Sequence, residues 1–257
     1  MRFRRAQMMW SLAVPAFLSA CDRPAIADDF EVTATFQHDA AAYTQGLATS
    51  GEALFESTGQ YGRSDLRRVD LRTGAVLARQ SLSPSHFGEG LALYGDRLYQ
   101  LTWREGVVYV YDPASLALLD SLRLPGEGWG VTADNRHLYI SDGSDSIRVV
   151  DPETFAVVRV VHVRYRGEPL RLLNELEYFR GAILANVYET NWIAVIDLES
   201  GEVTRLLDFA GLYPKRSRGA EVMNGIAIAP GGDELLLTGK FWPIVFQVRL
   251  RARADSA

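Results

Sequence analysis

The sequence predicts an all-β chain folded as a five-bladed β-propeller whose last blade is closed by the N-terminal strand. Three observations carry this. An aspartate turn recurs at Asp70, Asp112, Asp151 and Asp197, at spacings of 42, 39 and 46 residues. A second series falls once per unit: Gly46-Leu47, Gly90-Leu91, Gly130-Val131 and Gly225-Ile226, with Leu176-Glu177 in the fourth. A lone alternating segment, residues 31–36, precedes the first unit, while the fifth unit is one strand short. Four short strands repeated at a period of ~45 residues are the mark of propeller blades.

Taken in chain order, residues 1–20 read as a lipoprotein signal peptide. Arg2, Arg4 and Arg5 form a basic start, and residues 8–17 are apolar but too few to span a bilayer. Leu18-Ser19-Ala20-Cys21 places the single cysteine of the chain directly after a small-residue cleavage site, in the manner of a bacterial lipobox. Cys21 is the expected lipidation site, and residues 21–30 are the tether behind it. Asp22 favours retention at the inner membrane, so the expected location is the periplasmic face of a bacterial cell envelope, held there by lipid alone. An ordinary signal peptide followed by an unmodified cysteine is the alternative.

Residues 31–257 form the propeller. In each of the first four units the aspartate is followed, three or four residues later, by Thr, Ser or Gly, so that its carboxylate can cap the turn's own amides. A β-rich run follows each turn, at residues 75–80, 116–122, 157–163 and 203–207. The fifth unit ends at residue 250, and residues 31–36 supply its missing outer strand, removing an open sheet edge. A regular β-sandwich is the competing fold, disfavoured by the even period.

Composition narrows the function. The chain has 257 residues, 47% of them hydrophobic, enough for a sizeable core. Removing the first twenty residues, with three arginines and no acid, takes the net charge from −5 to −8. An acidic protein is a poor ligand for nucleic acid, whose affinity rests on neutralised phosphates. One cysteine excludes an internal disulfide and a cysteine zinc site, and His38, His86, His137 and His162 show no ligand spacing. The histidines read as turn or surface residues, with His86 beside the candidate pocket.

The unusual residues occupy equivalent positions in every unit. Before the innermost strands stand Tyr43-Thr44-Gln45-Gly46-Leu47, Phe87-Gly88-Glu89-Gly90-Leu91, Gly128-Trp129-Gly130, Leu173-Asn174-Glu175-Leu176-Glu177 and Met223-Asn224-Gly225-Ile226. A second ring closes the following strands: Glu56-Ser57-Thr58, Leu101-Thr102-Trp103, Ser141-Asp142-Gly143, Asn186-Val187-Tyr188 and Thr238-Gly239-Lys240. A propeller converges these on one mouth of its channel, where polar groups with aromatic walls make a small-ligand site. Glu175 and Glu177 are expected to pair with arginines.

The blocks YTQGL, FGEGL, LTW, GWG, SDGS, LNELE, ANVY, NGIA and TGKFWP, in that order over residues 36–250, resemble the glutaminyl-peptide cyclotransferases of the plant and bacterial type. The resemblance implies a five-bladed propeller that converts N-terminal glutamine of peptides and proteins to pyroglutamate with release of ammonia. It implies a site at Tyr43, Gln45, Phe87, Glu89, Trp103, Trp129, Asn174, Tyr188 and Lys240. Glu89, Lys240 and Asn174 are then the catalytic set and the other six bind substrate. Two positions depart from the family, which has Phe where Tyr43 stands and Trp where Tyr188 stands. No cofactor and no catalytic metal are implied; a structural ion in the channel is left open, and a monomer is expected. Two other readings stay open: a non-catalytic envelope propeller that binds peptides or partners, and a metal-dependent lactone hydrolase, which chelator sensitivity would reveal.

Overall fold

A computed structural model describes residues 30–251, and among them there are strands and turns but no helix. Strand β1 (Phe30–Gln37) comes first. Blade one follows as β2 (Thr44–Ser50), β3 (Ala53–Thr58), β4 (Asp65–Asp70) and β5 (Val76–Ser81). Blade two is β6 (Gly88–Tyr94), β7 (Arg97–Thr102), β8 (Val107–Tyr111) and β9 (Leu118–Arg123). Blade three is β10 (Val131–Ala133), β11 (Leu138–Ser141), β12 (Ser146–Val150) and β13 (Val157–His162). After a short ribbon, β14 (Arg164–Tyr165) and β15 (Glu168–Pro169), blade four is β16 (Leu173–Phe179), β17 (Ala182–Val187), β18 (Trp192–Asp197) and β19 (Val203–Asp208). Blade five is β20 (Met223–Ile228), β21 (Leu235–Gly239) and β22 (Ile244–Leu250). Every blade is an antiparallel four-strand meander, and the fifth is completed by β1 pairing with β22 from Phe30↔Leu250 to Gln37↔Ile244. Cys21, Asp22, the expected signal and the tether up to residue 29 lie outside the described residues, and Phe30, expected to end the tether, is the first residue of β1 because it pairs with Leu250.

The aspartate turns form as their chemistry dictates. Asp70 Oδ1 accepts the Thr73 amide and hydroxyl at 2.8 and 2.7 Å. Asp112 does the same with Ser115, Asp151 with Thr154 and Asp197 with Ser200, all at 2.6–2.8 Å. Each turn connects the third and fourth strands of its blade.

The core is divided among the blade interfaces. Leu47, Leu54 and Val69 of blade one pack on Ala227, Leu236 and Val245 of blade five. On its other side, Ala48, Phe55 and Leu66 meet Leu91, Leu98 and Tyr111 of blade two. Inner strands are therefore buried on both faces, whereas outer strands such as β9 are exposed along most of their length. Each fully buried Leu or Ile stabilises by about 1.5–3 kcal/mol, so the ring is held by many equivalent contacts.

At the axis the inner strands touch backbone to backbone. A Cβ on Gly90 would come within 2.6 Å of the Val131 nitrogen, and one on Gly130 within 2.0 Å of the Asn174 carbonyl oxygen. This explains the recurrent glycine of the sequence: with only five blades the ring is narrow. In the fourth unit the structure puts Glu175 at that position, one residue before the Leu176-Glu177 pair expected there, because the bulge aligns Asn174 with Gln45 and Glu89. Its carboxylate reaches across the axis to accept the amides of Leu47 and Ile226, at 3.3 and 2.8 Å. Glu177 meets the Thr132 hydroxyl and the Ile228 amide. The expected arginine partners of both glutamates are thus replaced by backbone amides and a hydroxyl.

His38 also departs from expectation. It lies at the end of β1, 9% exposed, with Nδ1 2.6 Å from the Trp242 carbonyl and Nε2 3.0 Å from the Glu56 carboxylate. Both partners are acceptors, so the ring donates from both nitrogens and is an imidazolium. Burial works against the charge, but Glu56, the Trp242 carbonyl and Asp39 together outweigh it and raise the His38 pKa. The residue is a buried fastener between the closing strand, blade one and blade five.

Candidate active site

The first residues of four inner strands carry a shift in register. It lies between Thr44 and Gly46 in β2, Gly88 and Leu91 in β6, Leu173 and Leu176 in β16, and Met223 and Ile226 in β20. A bulge gives one extra residue to one strand and re-aims its side chain. The residues in these bulges are Gln45, Glu89, Asn174 and Asn224. Regular alternation would bury such groups between blades or turn them down the channel; at the bulges Gln45, Glu89 and Asn174 face one mouth.

All nine residues singled out in the sequence line one cavity of about 260 Å³ at that mouth. Blade one supplies Tyr43 and Gln45, blade two Phe87, Glu89 and Trp103, blade three Trp129, blade four Asn174 and Tyr188, and blade five Lys240. His86 is not among them; its ring accepts or donates at 2.7 Å to the Tyr109 hydroxyl, away from the cavity. A larger hollow of about 510 Å³ lies at the far ends of the inner strands, over Thr132 and Glu177, but it gathers none of the nine.

The walls are aromatic. Phe87 meets Trp103 edge to face at 5.6 Å and Tyr43 at 6.1 Å, and Trp129 meets Tyr188 at 5.7 Å. Such walls exclude water and strengthen any charge interaction inside. Glu89 is 5% exposed, and its carboxyl has no hydrogen-bond partner among the described residues. Burial pushes its pKa well above the ordinary range; Glu105 and Glu127 push the same way, and Lys240 opposes them. Lys240, 3% exposed, has its ammonium 4.6 Å from the centre of the Tyr43 ring and 5.1 Å from that of Tyr188. Burial lowers its pKa, while Glu89 and Glu221 work to raise it. Burial also lifts the Tyr43 phenol to about 12, so it stays protonated.

Two amides complete the polar set. Asn174 is buried with its Oδ1 unpartnered. Gln45 Oε1 accepts from Asn224 Nδ2 at 3.3 Å, which leaves the Gln45 NH₂ as the group free to donate. The cavity therefore offers an ammonium and an amide N–H as donors, and a carbonyl and a carboxyl of raised pKa as acceptor and proton carrier. That set suits a ligand with a polarisable carbonyl and a nitrogen that must change protonation.

Two contributors were not anticipated. Glu127 bonds both pocket indoles, and Glu105 accepts the Tyr61 hydroxyl and the Phe87 amide, at 2.9 and 3.3 Å. In sequence both look like solvated loop carboxylates, and only Trp129, two places after Glu127, and Trp103, two places before Glu105, hint at a role.

Known proteins are similar to this chain in sequence and fold. The sequence profile of the glutamine cyclotransferase family matches residues 8–250. The chain is 39% identical over 230 residues to a glutaminyl-peptide cyclotransferase of Arabidopsis thaliana, covering 87% of this chain and 72% of that protein. It superposes on the crystal structure of Myxococcus xanthus glutaminyl cyclase with a TM-score of 0.80 and 35% identity, covering 86% of this chain and 96% of the other.

Proposed function

The chain belongs to the glutamine cyclotransferase family, and on that premise we propose how its cavity converts N-terminal glutamine of a peptide to pyroglutamate with release of ammonia. The observation that carries the assignment of residues is the convergence of Glu89, Asn174 and Lys240 within aromatic walls drawn from the first four blades.

The substrate brings nucleophile and electrophile in one molecule. Its α-nitrogen attacks the side-chain amide carbon, the new C–N bond closes a five-membered lactam, and the C–NH₂ bond breaks. Of the three hydrogens of the α-ammonium, one stays on the lactam nitrogen and two leave on the departing nitrogen as ammonium. Holding the chain folded back on itself removes much of the entropic barrier, and Phe87, Trp103, Trp129 and Tyr188 are the surfaces that hold it. Glu89 takes a proton from the α-nitrogen and returns it to the leaving nitrogen. Its raised pKa suits this, because a proton carrier works best when its own pKa is moved from the carboxylate range toward the operating pH. Lys240 and the Gln45 NH₂ donate to the amide oxygen as it gains negative charge. Asn174 Oδ1 accepts from the substrate nitrogen and so orients it. Every atom transferred comes from the substrate, so no group-carrying cofactor is required.

Cys21 is the proposed lipid anchor, presenting the enzyme as a periplasm-facing monomer at the inner membrane, with peptides and proteins beginning in glutamine as its substrates. Support for this is the sequence alone. The test of the function is ammonia release from a short glutamine-leading peptide by the protein from residue 22 onward, with and without a chelator. Ammonia with a matching mass loss and no chelator effect is expected. Loss of release on chelation would contradict the cofactor-free chemistry.

A further inference from the structure

The two indoles of the cavity share one anchor. Trp103 follows β7 of blade two and Trp129 precedes β10 of blade three. Glu127 Oε2 accepts from Trp103 Nε1 at 2.9 Å and from Trp129 Nε1 at 3.0 Å. The other oxygen accepts from Arg104 Nε at 3.0 Å, and the Arg104 guanidinium lies 3.7 Å from the centre of the Trp103 ring. The loop bearing Glu127 is fixed in turn, since Arg148 donates to the carbonyls of Pro125 and Glu127 at 2.6 and 2.5 Å.

A ring packed on one face can still rotate about its side-chain bonds. A hydrogen bond from its N–H to a fixed acceptor removes that freedom, and charged acceptors make the stronger bonds. Here one oxygen atom fixes two rings on different blades, so it sets the distance between them. We propose that Glu127 is a positioning residue that holds the Trp103 and Trp129 faces at the separation that fits a glutamine side chain. The inference rests on the reading of this cavity as the glutamine site. Glu127 is held in its ionised form. Burial acts to protonate it, but the hydrogen bonds from Trp129, Arg104 and Trp103 outweigh burial and keep its pKa below the ordinary value. Its carboxylate lies behind the indoles and is not among the groups lining the cavity, so apart from its charge felt at Glu89 it acts through the rings.

The experiment compares wild type, Glu127→Ala and Glu127→Gln by ammonia release from a glutamine-leading peptide and by tryptophan emission without substrate. Loss of both charged hydrogen bonds in Glu127→Ala is expected to raise KM about tenfold, with kcat within about threefold. Glu127→Gln keeps a neutral acceptor of the same shape and is expected to raise KM about threefold. Emission should shift in the same order. If Glu127→Ala does not fold, Glu127→Gln decides alone by the same two readouts. KM and emission equal to wild type in the folded variants would overturn the proposal. Absence of wild-type turnover would instead fail the glutamine-site reading, and the emission order would still test the indole anchor.

Discussion

Replacing Glu89 by Gln changes one oxygen to nitrogen in a site that has little other means of moving a proton. The side chain keeps its shape and can still hydrogen-bond substrate, so KM should change little. What is lost is the proton carrier. At 5% exposure, behind Phe87, Trp103 and Trp129, buffer has poor access to take its place. General acid–base groups contribute about 10²–10⁴ in rate, which is about 2.7–5.5 kcal/mol of barrier at 1.36 kcal/mol per tenfold. Initial rates of ammonia release at saturating peptide should fall within that range. The same substitution makes a second, opposite forecast for stability. Burial raises the folded pKa of Glu89 above its ordinary 4.5. From 4.5 up to that folded value the native state holds a proton that the unfolded chain has released, so native stability declines as pH rises through this interval. Neutral glutamine removes the decline. Glu89→Gln should therefore melt at or above wild type at about pH 8 while being nearly inert. Near-wild-type turnover would refute the proton-carrier role, and a lower melting temperature at that pH would refute the burial argument.

Three further outcomes are expected. Lys240→Met removes the cation facing the developing oxyanion and should lower kcat about 10²–10³-fold in the same ammonia assay. Gly130→Ala drives a methyl to 2.0 Å from the Asn174 carbonyl oxygen; overpacking of that kind costs about 1–3 kcal/mol or more, read as a drop in melting temperature with partial loss of activity through Asn174. His38→Gln should destabilise most in mildly acidic solution: the raised His38 pKa contributes stability that is complete below its unfolded value of 6.5 and is lost as pH rises through the folded value. The gap in melting temperature between wild type and variant should narrow from about pH 6 upward, and a gap that widened would contradict the imidazolium assignment.

The blades were legible because their punctuation is local. An aspartate capping the amide of the residue three places on needs no tertiary context, so four turns could be counted from the chain alone. The closing role of residues 31–36 followed from the missing strand, and the structure extends the segment to Phe30–Gln37. The nine cavity residues were legible through family resemblance and through their equivalent places in the units; residue type alone favoured duller roles. What stayed hidden depends on contacts far apart in sequence. Glu175 meets the Leu47 amide across 128 residues, and His38 meets Trp242 across 204; nothing beside either residue announces the partner. The β14–β15 ribbon has two residues per strand, too few to show a period. Glu127 lies between two glycines, where a solvated loop carboxylate is the ordinary expectation.

Because each of the five blades contributes to the cavity, no single blade holds the whole set of groups. Lys240 follows a strand of the last blade to be made, while that blade is completed by residues made at the start. Glu89 and both indoles stand on blades two and three, while the cation opposite them follows a strand of the blade that needs β1 to be complete. The pairing of β1 with β22 therefore ties the two ends of the chain to the same cavity, and a chain lacking either end is expected to lose turnover along with that pairing.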